Sequence, residues 1–324
     1  GGMNAKTPLP IEIGLTAAIV AVNNVSGDRP EPMILVARET APKSATALPS
    51  GPFEPVVHRT FEIGLRAWVS AQTGVPLGYV EQLYTFADRG RHTRPDDRAP
   101  HVVSIGYLAL TRIAAHGDDG ADPSAFRSWY SYFPWEDWRG GRPQILDREL
   151  LPRLSAWASD SKAERADIHT RALSRLERMR LAFGVDHALW DEEKVLERYE
   201  LLYEAGLVFE ALRDGRSGSV DRETAKRFGT PMRHDHRRIL ATAMGRFVHY
   251  ILEQIFKLDA NERVADMTQN YLDDAVANIL TEDVRRDIGL TETTQASFVR
   301  EGESIAKNYF DMEDATSRTV VGIE

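Results

Sequence analysis

No cysteine occurs anywhere in the 324 residues. A disulfide framework, a thiol nucleophile and a cysteine-ligated zinc site are thereby excluded. The absence also fits a reducing compartment, so a cytoplasmic protein is expected. Long apolar runs are missing too: none approaches the ~18 to 20 residues of a membrane-spanning helix, and no basic-then-apolar segment opens the chain. Gly1 and Gly2 ahead of Met3 read as an appended remnant. Positive charge is in short supply, with 40 Lys and Arg against 49 Asp and Glu for a net charge of −9. That balance excludes a surface that grips nucleic acid throughout. Residues 237–324 hold 10 basic and 16 acidic side chains, net −6, which leaves net −3 on residues 1–236. Any contact with nucleic acid must therefore be a local basic stripe.

What is present suits two domains, since a domain takes about 100 to 200 residues. Apolar runs of β type cover Ile11 to Val22, Met33 to Ala37, Tyr79 to Phe86 and Val102 to Leu110. Between the second and third, Phe61, Leu65, Trp68 and Val69 recur at helical spacing and Gly74 stands where a helix stops. An aromatic piece follows, Trp129 to Trp138, and from Asp147 the pattern is helical: Leu150 to Trp157, Ala163 to Phe183, Asp191 to Leu212 and His234 to Leu258. The expected fold is α+β, a mixed-sheet α/β/α sandwich over residues 3–145, then a mainly helical region over 146–324.

Leu48-Pro49-Ser50-Gly51, followed by a helix ending Gln72-Thr73-Gly74-Val75, resembles the Nudix box, G-x5-E-x7-R-E-U-x-E-E-x-G-U, with U aliphatic. In Nudix hydrolases the glutamates of that helix hold a divalent metal against a pyrophosphate and activate water. Aligned on Gly74 and Val75, Ala67 and Trp68 stand where the box has Arg-Glu, and Ala71 and Gln72 where it has Glu-Glu. Glu54, Glu62 and Arg66 are out of register, and two extra residues separate Gly51 from the helix. Metal-dependent hydrolysis is expected to be lost, and no metal or cofactor to be required.

The strings Tyr79 to His92 and Pro100 to Leu110 look like the strand, loop and strand of Nudix-related transcriptional regulators of NAD metabolism, the NrtR type. Glu62 to Trp68, Phe133 to Trp138, Glu197 to Gly206 and His234 to Ala243 are closer to the NadQ type. The resemblance spans about residues 11 to 246. It implies a sensor for a nucleotide such as ADP-ribose, and a winged helix-turn-helix that binds operator DNA as a homodimer. Beyond Arg246, where the family has a basic winged segment, this chain is acidic.

Arg89, Arg91 and His92, with Arg94 and Arg98, form a cluster able to pair with a pyrophosphate while Phe86 or Tyr107 packs near a base. Arg59 and Arg66, seven apart, could share a helix face turned to that cleft. A solvated loop and ion-paired surface arginines are the ordinary alternatives. For DNA, Arg171, Arg175 and Arg178 stand at i, i+4 and i+7, and Arg233, Arg237 and Arg238 belong to a second basic stretch that starts at Lys226. His234-Asp235-His236 reads as a helix start capped by Asp235 with exposed histidines, not as a metal site. The aromatics from Trp129 to Trp138 read as core or seam. Glu282 to Arg300 is a weak helix-turn-helix candidate whose alternative is a polar hairpin. Two rivals stand beside the regulator: an ADP-ribose or dinucleotide pyrophosphohydrolase recruiting Glu54, Glu62 or Glu81, and a nucleotide sensor whose carboxyl half binds protein.

Overall fold

The structure, a computed structural model, describes residues 11–23, 31–37, 46–78, 80–87, 101–111, 113, 123–138, 140–160 and 173–256, with backbone alone for 247–256. Among the described residues six strands form one mixed sheet: β1 (Ile11–Asn23), β2 (Glu31–Leu35), β3 (Ser50–Pro52), β4 (Val80–Phe86), β5 (His101–Leu110) and β6 (Phe126–Ser128). Their order is β4-β5-β1-β2-β6, with β3 paired to the first part of β1. β1 and β5 run parallel from Ile11 opposite His101 to Val20 opposite Leu110, and the remaining pairs are antiparallel.

Every residue of β1 from Leu15 to Ala21 is buried. A strand covered on both faces reads as an unbroken apolar run, and the two-residue period then deals its side chains alternately to two cores. Leu15, Ala17 and Ile19 join Ile105, Tyr107 and Ala109 on one face, against Leu65 and Val69 of α1 (Phe61–Thr73). Ala18 and Val20 join Phe86, Leu108 and Leu110 on the other face. α1 starts at Thr60, whose Oγ1 accepts the Ile63 N–H at 3.2 Å, and stops at Gly74, left-handed with φ 73°.

The second face is covered by the carboxyl half of the chain. α2 (Leu151–Ala158), α3 (Arg175–Phe183), α4 (Val195–Glu204), α5 (Phe209–Arg213), α6 (Arg222–Arg227) and α7 (His234–Phe256) follow the aromatic piece. A π turn, Leu146–Leu150, leads into α2, its last bond running from the Leu151 N–H to the Leu146 carbonyl. Pro152 follows in the first turn of α2, where a missing N–H is tolerated. α7 lies on β1, β4 and β5. It comes this close because position 106 is glycine: a Cβ there would stand 2.9 Å from two carbons of Ile239.

Trp129, Tyr132, Phe133 and Trp135 are buried between sheet and helices, and two enclosed ion pairs tie that seam down. Arg198 of α4 meets Glu136 at 2.6 and 2.8 Å, with its guanidinium 3.9 Å from the Trp190 ring centroid. Arg237 of α7 meets Glu210 of α5 at 2.8 Å and donates to the Tyr132 carbonyl. Charges so enclosed are tolerable only when paired, and removing one partner costs about 3 to 5 kcal/mol. The expected layers are therefore present, but the second helical layer of the sandwich comes from beyond residue 145. Among the described residues after 146 no strand occurs, so no wing lies within 146–160 or 173–256.

Candidate functional site

Among the described residues two places have the residue types of a site, and they lie on opposite faces of the sheet. The first is the box loop and α1. Here two of the three α1 positions aligned with glutamates of the box, Trp68 and Gln72, carry side chains bonded to the loop itself. The Trp68 Nε1 donates to the Pro52 carbonyl at 2.8 Å, and the indole lies so close over Gly51 that no Cβ would fit there. The Gln72 amide brackets Ser50, accepting its N–H at 3.0 Å and donating to its carbonyl at 2.6 Å. Ala67 and Ala71 are exposed. Glu62 is bound to Arg66 of the same helix at 2.8 Å, Glu54 is exposed in the turn before α1, and Glu81 on β4 meets Arg246 at 3.2 Å. Among the described residues no three His, Asp or Glu side chains come together as a metal site would need.

The loop is also fastened to the carboxyl half. The Leu48 N–H donates to the His236 Nδ1 at 3.0 Å, and Thr46 makes a bridge with Met232. Burial drives the His236 imidazole down to about 4, so it is neutral at ordinary pH and its ring nitrogen can accept.

The second place is a cleft of about 410 Å³ between the sheet and the helices, within the size range of small-ligand sites. Phe86, Val102 and Ser104 form its sheet wall, where β4 ends and β5 begins. Glu200, Tyr203 and Glu204 come from α4, Arg213 and Asp214 from the end of α5, and Arg233, His234, Asp235 and Arg238 from the start of α7. Ring faces are prominent. His234 stacks on Tyr203 at 3.7 Å between centroids, with Nδ1 2.8 Å from the Tyr199 hydroxyl. Burial holds that hydroxyl well above its ordinary pKa, so it keeps its proton. Tyr203 is likewise raised, by burial and by its hydrogen bond to Asp214.

Each of the cleft's guanidiniums is engaged by a carboxylate. Arg238 lies 4.0 Å from the Phe86 centroid and meets Glu200 at 3.0 Å. Arg233 turns Nε and Nη2 to Asp235, at 3.2 and 2.8 Å. Arg213 gives Nε to Asp214 at 3.1 Å and Nη1 to the Met232 carbonyl. Behind the wall, Arg178 holds Glu204 through both Nη atoms, at 3.2 and 2.8 Å.

Several sequence expectations are corrected by this geometry. Of the two alternatives Phe86 and Tyr107, only Phe86 lines this cleft, because it belongs to the core facing α7 and Tyr107 to the core facing α1. Arg59 precedes the cap residue of α1, so it shares no helix face with Arg66. Arg66 is spent on Glu62 and on the carbonyls of Leu77 and Gly78, closing the turn after α1. Arg237 is fully enclosed and offers nothing to DNA. The arginine stripe is cut, since Ser174 caps α3 in a capping box with Glu177 and the helix begins only at Arg175. Arg175 lies over the Trp157 ring at 4.4 Å. The histidines beside Asp235 are drawn inward, His236 into the core and His234 onto Tyr203.

Arg89, Arg91, His92, Arg94, Arg98, Arg171 and the Glu282 to Arg300 segment lie outside the described residues. Phe86, Arg233 and Arg238, assigned from sequence to two separate sites, come together in the one cleft. Tyr203, Ser104 and Arg213 carry no role in the sequence reading, and His234 only that of an exposed histidine at a helix start. For Tyr203 and His234 a signal existed, because the strings Glu197 to Gly206 and His234 to Ala243 carry most of the helical wall.

No family model matches the chain, and no curated protein matches it. Among solved structures it is similar to the NUDIX domain of Shewanella oneidensis NrtR complexed with ADP ribose, at 15% identity and a TM-score of 0.28, over 39% of this chain and 75% of that one. Shewanella oneidensis NrtR complexed with a 27mer DNA matches at 19% identity and a TM-score of 0.25, over 31% of this chain and 42% of that one. A mutT/nudix family protein from Listeria innocua matches at 16% identity and a TM-score of 0.28, over 37% and 80%. The chain thus spans less than half of the DNA-bound NrtR chain.

Proposed function

We propose that this chain is a transcriptional regulator of NAD-biosynthesis genes, in which the cleft between sheet and helices senses a nucleotide such as ADP-ribose and the box helix serves only as scaffold. The observation that carries the reading is the composition of the cleft wall: Phe86 and Ser104 come from the sheet, and Arg233, His234 and Arg238 from the first turns of α7. A ligand held by both walls binds unequally to two placements of α7. By linkage it then shifts any equilibrium that α7 takes part in by that difference in affinity.

The chemistry of the wall suits a nucleotide. Arginine forks match phosphate, carboxylates accept the protons of ribose hydroxyls, and the rings offer faces to a base. The sequence likeness to NrtR and NadQ regulators supports operator DNA as the partner, and a homodimer as the state that reads it. Trp68 and Gln72, bonded to the loop they face, support a sensor without hydrolysis.

Gel-shift titration of NAD-biosynthesis promoter DNA, at about 0.15 M salt with and without ADP-ribose, tests the reading. A specific shift that ADP-ribose strengthens or releases is expected. No specific shift at any nucleotide concentration sinks it.

A further inference from the structure

We infer that the cleft selects its nucleotide by charge, taking ligands with a single or bridging phosphate group and turning away nucleoside triphosphates. This rests on the reading of the cleft as the nucleotide's seat and adds what that seat can hold. The cleft is lined by three guanidiniums and four carboxylates. Each of the three, Arg213, Arg233 and Arg238, is engaged by a carboxylate of the same cleft. The fourth carboxylate, Glu204, is held by Arg178 from behind. Among the described residues the wall is therefore close to neutral, with each of its guanidiniums matched, unlike a polyphosphate cradle in which positive charge is in excess.

Two of these arginines keep an edge for a ligand. Arg233 spends Nε and Nη2 on Asp235, and its side chain is 55% exposed. Arg213 spends Nε and Nη1 and is 35% exposed. Among the described residues no bond occupies the Nη1 of Arg233 or the Nη2 of Arg213. A guanidinium has five N–H donors, so one phosphate, or the bridge of a dinucleotide, can be held by the remaining donors with the ion pairs intact. A triphosphate brings two further negative charges than a monophosphate. Each would have to draw a guanidinium away from a carboxylate that stays in the wall and then faces the phosphate, and like charges brought together in this way cost binding.

Calorimetric titration of the full chain with adenosine, AMP, ADP-ribose and ATP, in chelator at fixed ionic strength, tests the inference. AMP and ADP-ribose are expected to bind at least about tenfold more tightly than ATP. ATP binding as tightly as AMP overturns the inference and leaves the sensor reading standing. Binding of none of the four removes the sensor reading itself, and the inference with it.

Two variants locate the effect. Glu200→Gln removes a carboxylate that holds Arg238 and should narrow the AMP-to-ATP ratio by about threefold or more, while Arg233→Gln should widen it. Both positions are partly exposed, 39% and 55% at the side chain, so the fold tolerates the changes. A ratio unmoved in both variants places the nucleotide elsewhere and overturns the inference.

Discussion

At the scale of single residues, burial decides what a charged or titratable side chain can do, and two groups show it with opposite signs. His236 sits in the core, 1% exposed, and burial lowers its pKa from 6.5 to about 4. The unfolded chain binds that proton near pH 6.5 and the folded chain only near 4. The stability it contributes is therefore complete above pH 6.5 and is lost as pH falls toward 4, by on the order of 3 kcal/mol at 1.36 kcal/mol per unit. Burial raises Glu192 from 4.5 to about 7, so there the folded state keeps a proton that the unfolded state gives up, and stability is lost as pH rises between those values. The two slopes oppose each other across pH 4.5 to 6.5, and the measured curve for the native protein is flatter than either alone. Urea midpoints from pH 4.5 to 7 for the native chain and for His236→Gln separate them. The variant is expected to lose the part of the curve that falls with acid, and equal slopes in both would show that His236 is not held neutral. Arg237 obeys the same rule: in sequence it belongs to a basic stretch, and no spacing reveals that Glu210, twenty-seven positions earlier, encloses its charge.

At the scale of elements, local signals were legible and long-range partners were not. The stop of α1 at Gly74, the strands β1, β4 and β5, and the aromatic seam could be read from periodicity and punctuation. The start of α3 was misread because helical spacing before Arg175 outweighed the Ser174 to Glu177 capping box, a signal that was present in the sequence. What periodicity could not give is which face a strand residue takes when both faces are buried, and it therefore could not choose between Phe86 and Tyr107. The seating of α7 on β5 is of the same kind, since it depends on the absence of a side chain at Gly106 opposite Ile239. Gly106→Ala is expected to cost about 1 to 3 kcal/mol through overpacking. In combination with Ile239→Ala the cost should fall well below the sum of the two single changes, because the added methyl then occupies part of the vacated space. A double-mutant cycle by chemical denaturation measures that coupling, and strict additivity would mean that α7 does not rest on β5 at this point.

At the scale of the whole molecule, the sheet is a wall shared by two cores, and this changes what a domain boundary at residue 145 means. The core on the α1 face closes within the first 145 residues. The other face, with Ala18, Val20, Ile34, Phe86, Leu108 and Leu110, is closed by Leu154, Phe183, Tyr199, Leu202, Ile239 and Leu240, all from beyond that boundary. Composition and length suggested two units and could not show that the first lacks a cover for one side of its sheet. A fragment of residues 1–145 would leave those apolar side chains, and the aromatic seam with Trp129, Phe133 and Trp135, facing water. It would also lose Arg198, the buried partner of Glu136. Burial of apolar surface is the dominant stabilising term in folding, so the fragment is expected to associate or to bind hydrophobic dye, without a cooperative thermal transition. A fragment of residues 1–256 keeps both covers and is expected to unfold cooperatively. Circular dichroism melts with dye binding on the two fragments decide the matter: a sharp transition in the shorter one would show that the sheet needs no second layer, and that ligand contacts in the cleft could not couple to its fold.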